Sequence, residues 1–261
     1  MVFVVKIGGN VLDDPAALQR FLQAFAKIPS PKILVHGGGK IATRLGEKLG
    51  IQSNYVDGRR ITDDATIDLV TMVYGGLVNK QLVAQLQSLQ TNAIGITGAD
   101  GNLLPAVKRP VKTIDYGWVG DVLPNELPVD RWQLLLNNGF VPVLAPLTHD
   151  REGHMLNTNA DTMAATIAIA LSAHYPVRLI YCFEKKGILE NVEDEHSVIP
   201  YINPAIYSQL KAEQKLFAGI LPKLDNAFDA ISKGVKEVLI GHADDLIQNT
   251  TDTTTGTLIA G

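Results

Sequence analysis

The residues best placed to do chemistry are two lysines, two glycine turns, an arginine and a run of amide side chains. Lys6 stands near the end of the apolar run Val2 to Ile7. Burying a lysine is costly unless its charge meets an anion. At the C-terminal end of a parallel strand it points toward the crevice where open α/β sheets bind ligands. The competing reading is a lysine snorkelling at a sheet edge. Gly8-Gly9 and Gly37-Gly38-Gly39 each follow an apolar run and precede a helical pattern. Such turns present backbone N–H groups beside the positive end of a helix, a setting suited to phosphate or carboxylate. Either turn is equally open to the plainer reading that glycine permits a tight bend.

Arg60, within Asp57-Gly58-Arg59-Arg60-Ile61-Thr62, carries a fork that matches a carboxylate; taken alone it also suits a surface position. Asn157-Thr158-Asn159-Ala160-Asp161 holds three amide or acid side chains in five residues, more than one helix cap needs. Lys223, in Gly219-Ile-Leu-Pro-Lys223, is either a second cation of the site or a solvated lysine at a helix start. His149 and His154 have no metal-ligand spacing and read as structural or exposed, so no metal site is expected from side chains.

Several classes are disfavoured. His36-Gly-Gly-Gly-Lys40 lacks the G-x-G-x-x-G spacing of dinucleotide-binding folds. It also lacks the P-loop pattern, because Leu34 stands where the first glycine belongs. A single cysteine, Cys182, allows no intrachain disulfide, and its apolar neighbours mark it as a small buried hydrophobe. The net charge of −4 points to neither nucleic acid nor anionic lipid. The first apolar run is too short for a signal-peptide core or a membrane span, so a cytoplasmic location is expected.

Holding these groups requires a sheet whose strands are buried on both faces. The runs at 2–7, 32–36, 93–97 and 140–147 fit that need, as do 177–183 and 235–240. Between the first two, Asp14-Pro15 supplies a side-chain cap and a first-turn proline. Leu18, Phe21, Leu22 and Phe25 then follow at helical spacing. Helices are also predicted over 40–49, 63–89 and 162–173, with another ending near Lys233. The pair Gly75-Gly76 inside 63–89 costs helix stability, which implies a kink or the close approach of another helix. Residues 98–121 read as hairpins. Strand, glycine turn and helix in repeated order define an α/β chain with a mainly parallel sheet. Tyr175-Pro176 is the expected hinge between an N-lobe, 1–175, and a C-lobe, 176–261.

Lys6-Ile-Gly-Gly9, Val35-His-Gly-Gly-Gly39, Gly58-Arg-Arg-Ile-Thr62, Leu156-Asn-Thr-Asn-Ala-Asp161, Gly219-Ile-Leu-Pro-Lys223 and Gly256-Thr257-Leu-Ile259 occur in this order across nearly the whole chain. Together they resemble the N-acetylglutamate kinases of the amino-acid-kinase superfamily. The resemblance implies one 261-residue domain, a three-layer αβα sandwich around about eight strands. Its N-lobe would bind the acylated amino acid and form a homodimer. Its C-lobe would bind ATP, with Mg2+ held mainly by the nucleotide.

By position, Lys6 and Lys223 look like the lysines on the transferring phosphoryl group, and Asp161 like the residue orienting them. Gly8, Gly9, Gly38 and Gly39 look like backbone donors, and Arg60 and Asn157 like the grips on the glutamate portion. A glutamate γ-carboxylate is already ionised at neutral pH, its reference pKa being about 4.3. Such a site needs positive charge and positioning rather than a base.

Two departures stand out. Cys182-Phe-Glu-Lys-Lys-Gly187 is one residue longer than the family's turn into the ATP lobe, which leaves Lys185, Lys186 and Gly187 as the expected nucleotide contacts. The chain also begins at its first strand, without the N-terminal helix of arginine-inhibited members, so a dimer with weak arginine inhibition is expected. The alternatives are a kinase for another acyl group, such as N-succinyl-L-glutamate with Arg59 meeting its extra carboxylate, and a catalytically silent amino-acid and nucleotide sensor.

Overall fold

The computed structural model describes all residues except 30, 57, 192 and 214–219. Asp57 and Gly219, at the heads of two motifs above, therefore lie outside the described residues. Eight strands carry the main sheet: β1 (Val2–Ile7), β2 (Lys32–Val35), β3 (Ala93–Ile96), β4 (Val141–Leu144), β5 (Val177–Phe183), β6 (Tyr201–Ile202), β7 (Glu237–His242) and β8 (Thr257–Ile259). They are mainly parallel and flanked by helices, the fold class expected from the sequence.

Two compact units divide the chain, one of residues 1–33 with 164–261 and the other of residues 34–163. The cut differs from the expected boundary at 175/176, and strand pairing gives the reason. β1 pairs in parallel with β5 along its whole length, from Val2↔Val177 to Ile7↔Cys182, so the N-terminal segment packs with the C-terminal one.

In the first unit the strand order is β6-β8-β7-β5-β1, antiparallel only between β7 and β8. β1 is buried throughout. Asp14 caps the Pro15–Lys27 helix, accepting from the N–H groups of Ala16 at 2.9 Å and Ala17 at 3.1 Å. Phe21, Leu22 and Phe25 are buried, and Leu18 is half-buried. The helix ends on a side chain: Lys32 Nζ donates to the carbonyls of Phe25, Ala26 and Ile28 at 2.9, 2.9 and 2.6 Å. It thereby adds a donor to the last carbonyls of the helix, of which Phe25 O also accepts from Ile28 N at 3.2 Å. Burial pulls the Lys32 pKa down to about 8. On β5 and β7, Arg178 and Glu237 form a buried pair at 2.9 Å, and Arg178 Nη1 holds the carbonyls of Asn249 and Thr251 at 3.0 and 2.7 Å.

In the second unit the order is β2-β4-β3, all parallel. The expected helix 63–89 is three pieces: Asp64–Val70, a π-helical segment Thr71–Val78, and Asn79–Ser88. The glycine pair lies inside the π segment, so the kink is a widened turn. A Cβ on Gly75 would meet Leu147 at 3.3 Å, which identifies the close neighbour as the Leu147–His149 strand rather than a helix. Residues 98–121 hold the expected hairpin character, with Ala106–Lys108 antiparallel to Gly120–Val122.

Candidate active site

A pocket of about 230 Å3 opens in the second unit, and four segments build most of its wall, with Arg109, Val119 and Pro146 completing it. Gly37, Gly38 and Gly39 form one side. Tyr55 and residues 58–60 come from a short hairpin in which Tyr55 pairs with Arg60. Tyr74 arrives from the π segment, and residues 157–160 from the start of the Ala160–Ser172 helix. Three arginines, Arg59, Arg60 and Arg109, line the pocket, and no carboxylate among the described residues does.

Arg60 is buried and held rigidly. Nη2 donates to the Gly39 carbonyl at 2.8 Å and to Thr43 Oγ1 at 2.9 Å, while Nη1 donates to Ser53 Oγ. Its guanidinium lies 4.8 Å from the Tyr55 ring centroid. Burial raises the Tyr74 phenol pKa, and Arg60 beside it opposes the rise. Asn157 is tied to the same arginine through a chain of bonds. Its Nδ2 donates to Thr62 Oγ1 at 3.0 Å, and Thr62 Oγ1 donates to the Arg60 carbonyl at 3.2 Å. The amide cluster resolves into separate duties. Asn159 is the helix cap, its Oδ1 accepting from Thr162 N at 3.0 Å. Asn157 lines the pocket, and Asp161 stands half-buried in the helix's first turn.

The glycine turn is fixed from behind. Gly38 has φ +147°, and a Cβ there would sit 2.9 Å from the Tyr74 ring; only glycine tolerates both conditions. Gly39 begins the Gly39–Lys48 helix with open space where a Cβ would be. His36 is buried. Because a carbonyl only accepts, its Nδ1–H donates to Gly37 O at 2.7 Å, leaving Nε2 to accept from Asn79 Nδ2 at 3.1 Å. Asn79, the first residue after the π segment, also donates to Val143 O on β4 at 2.8 Å.

Burial lowers the His36 pKa to about 4 from an ordinary 6.5. Between these values the unfolded chain binds a proton that the folded one refuses, so stability falls as pH drops from 6.5 toward 4. The full effect is on the order of 3 kcal/mol. A His36→Gln variant should show a smaller loss of Tm between pH 7 and pH 4.5 than the parent chain. Parallel Tm profiles would remove His36 as the responsible group.

In the first unit the two lysines meet at one aromatic ring. Lys6 Nζ lies 5.2 Å and Lys223 Nζ 3.6 Å from the centroid of Phe183, the last residue of β5. Lys223 is in the first turn of the Leu221–Ser232 helix. Gly8 donates its N–H to Cys182 O at 3.0 Å, so the sheet takes up the donor expected for a ligand. Gly9 opens the helical turn Gly9–Asp13 with open space where a Cβ would be. The first N–H groups of such a turn have no intrahelical acceptor. Cys182 is buried, and its thiol pKa is pushed up to about 12, as suits an inert hydrophobe.

Lys185 and Lys186 are exposed, with Lys185 Nζ 3.7 Å from the Glu195 carboxylate. Gly187 is buried, and a Cβ on it would sit 2.7 Å from Thr257 Oγ1, which itself accepts from Ile188 N at 2.8 Å. In the second unit, His149 bonds Asn102 Oδ1 at 2.8 Å, and exposed His154 pairs with Asp150 at 2.7 Å. The pocket residues that sequence reasoning missed are Tyr55, Tyr74 and Arg109. Tyr55 alone had a local signal, as an aromatic opening the hairpin that carries Arg60.

Residues 1–242 match the amino acid kinase family, and the chain belongs to it. Within that family it is similar to acetylglutamate kinases. That of Cytophaga hutchinsonii is 52% identical over 248 residues, 95% of this chain and 93% of the relative. That of Methanopyrus kandleri is 37% identical over 249 residues, 94% of this chain and 96% of the relative. Among solved structures, N-acetylglutamate synthase from Neisseria gonorrhoeae, complexed with coenzyme A and N-acetyl-glutamate, matches with a TM-score of 0.81 at 23% identity. The match covers 100% of this chain but 59% of that one, and at this identity it speaks for the fold alone.

Proposed function

We infer that this chain transfers the γ-phosphoryl group of ATP to the γ-carboxylate of N-acetyl-L-glutamate, the acetylglutamate kinase reaction of arginine biosynthesis. The observation that carries this reading is the pocket with three arginines and no described carboxylate among its lining residues. It suits a substrate with two carboxylates and no ammonium group. Arg60 holds the α-carboxylate, and Asn157 bonds the acylated amide. Lys6 and Lys223 offset charge on the transferring phosphoryl group, Asp161 orients them, and Gly9, Gly38 and Gly39 supply N–H donors.

Two ammonium groups at one ring suit phosphate oxygens rather than a metal ion. Mg2+ therefore arrives with the nucleotide, where it screens the phosphates. Lys185 and Lys186 lie on the nucleotide side. The 34–163 unit takes the acylglutamate, and the C-terminal segment takes ATP. The enzyme works in the cytoplasm as a homodimer. The dimer contact is the π segment, where Met72 and Leu77 are exposed and Gly76 has open space at its Cβ position; light scattering reads the assembly directly.

A coupled assay for ADP release across N-acetyl-L-glutamate, L-glutamate, L-aspartate and carbamate tests the reaction. Turnover is expected with the acylglutamate. L-Glutamate should be a very poor substrate, because its ammonium group would be buried without a partner. Turnover of aspartate or carbamate instead, or nucleotide binding without turnover, would overturn the reading.

A further inference from the structure

The Gly37–Gly39 turn forms one side of the substrate pocket, and a chain of buried hydrogen bonds reaches it from the sheet. Asn79 Nδ2 donates to Val143 O on β4 at 2.8 Å, and Asn79 Oδ1 accepts from Lys80 Nζ at 3.2 Å. Lys80 Nζ also donates to Gly95 O on β3 at 2.8 Å. A Cβ on Gly95 would overlap Asn79 Oδ1, so the amide packs directly on that strand. These partners give the amide one orientation, with its nitrogen toward Val143 O and His36 Nε2. A donor facing Nε2 leaves the His36 proton on Nδ1, and Nδ1–H holds Gly37 O at 2.7 Å. The backbone N–H of His36 donates to Leu144 O at 3.0 Å, which ties the residue to β4 as well. His36 is fully buried, whereas Gly37, Gly38 and Gly39 line the pocket. In a trans peptide the C=O and the following N–H point in opposite directions. Drawing Gly37 O back to the imidazole therefore turns Gly38 N–H forward, toward the pocket.

We propose that His36 and Asn79 are positioning residues of the acylglutamate site: Asn79 sets the imidazole tautomer, His36 sets the Gly37–Gly38 peptide, and Gly38 N–H is thereby presented to a carboxylate oxygen of the substrate. Both act through Gly38 rather than by contact with the ligand. Three successive glycines have the widest backbone freedom, so the turn does not hold that peptide by itself. Were the peptide to turn over, Gly37 O would face the pocket, and an acceptor would meet the incoming carboxylate. A donor already aimed costs no reorientation when the anion arrives. The proposal rests on the acylglutamate kinase reading, because the pocket in front of the turn is the one assigned to the glutamate portion.

Two substitutions separate positioning from mere stability. In His36→Asn the amide nitrogen stands near the place of Nδ1 and keeps the bond to Gly37 O, while the link to Asn79 is lost. In His36→Gln the amide oxygen reaches the place of Nε2 and keeps Asn79, while the bond to Gly37 O is lost. Each gives up a buried hydrogen bond, so the two should lose similar amounts of Tm. KM for N-acetyl-L-glutamate is expected to rise about tenfold in His36→Gln, the scale of one hydrogen bond to a charged group, and about threefold or less in His36→Asn. KM for ATP should be unmoved in both. Asn79→Ala should raise the same KM, and adding it to His36→Gln should change that KM little further, because the carbonyl is already released. In the parent chain, the Gly38 amide proton resonance should move downfield as N-acetyl-L-glutamate saturates the enzyme. That measurement needs no variant, so it decides the matter if His36→Gln fails to fold. Equal KM values in the Asn and Gln variants would overturn the proposal, as would a Gly38 amide resonance that saturation leaves in place. Absence of turnover of N-acetyl-L-glutamate by the parent enzyme would instead refute the kinase reading itself.

Discussion

Replacing Lys223 or Lys6 with alanine is expected to lower kcat by about 10²–10³-fold, the loss associated with one preorganised contact to transition-state charge. The two ammonium groups come from opposite ends of the first unit's sequence and meet at Phe183. Phosphoryl transfer spreads negative charge over oxygens that neutral groups stabilise poorly, and the acceptor carboxylate needs no base. Positive charge is thus the main contribution the chain makes, and removing half of it should act on kcat more than on KM for the acylglutamate. Lys223→Arg keeps the charge and should retain more activity than Lys223→Ala. Kinetics on variants with unchanged circular dichroism decide the matter, and near-parental kcat in both alanine variants would end the assignment.

Much of this arrangement was legible in the sequence, for reasons that differ by element. β1 and β5 fell at their predicted ends because a strand buried on both faces is an unbroken apolar run bounded by a glycine or a polar turn. The Asp14-Pro15 cap is likewise a purely local signal. β7 begins two residues later than expected, because Val235 is buried in the preceding turn without joining the ladder. The π segment was not legible, since the glycine pair announces a departure from the α-helix but not its kind. The grouping of residues 1–33 with 164–261 depends on β1 pairing with a strand that begins 175 residues further along, which no local signal announces. Arg109 was missed for the same reason: its importance comes from Asp121, Tyr116 and the pocket wall, which only the folded hairpin assembles. The duties within Asn157-Thr-Asn-Ala-Asp161 separated only once Asn159 was seen to cap the helix.

Arg60→Lys should raise KM for the acylglutamate by about tenfold or more, although the charge is kept. Hydrogen bonds to charged groups contribute roughly 1.5–3 kcal/mol each, and lysine cannot reproduce a planar fork. Arg60 already spans the Gly39 carbonyl, Thr43 and Ser53, and through Thr62 it fixes Asn157. A single ammonium cannot hold those partners and a substrate carboxylate at once, so the glycine turn and the amide grip would loosen together. The contact is made in both ground and transition states, which puts the effect in KM for the acylglutamate and leaves KM for ATP unchanged. A general loosening of the fold would raise both, so the split between them separates binding from structure. The α-carboxamide analogue of N-acetylglutamate sharpens the test. The parent enzyme should reject it strongly, and Arg60→Lys should discriminate much less, because the interaction that senses the α-carboxylate is already gone. If the variant rejected the analogue as strongly as the parent does, another of the pocket's arginines would hold that carboxylate, and Arg60 would be its brace.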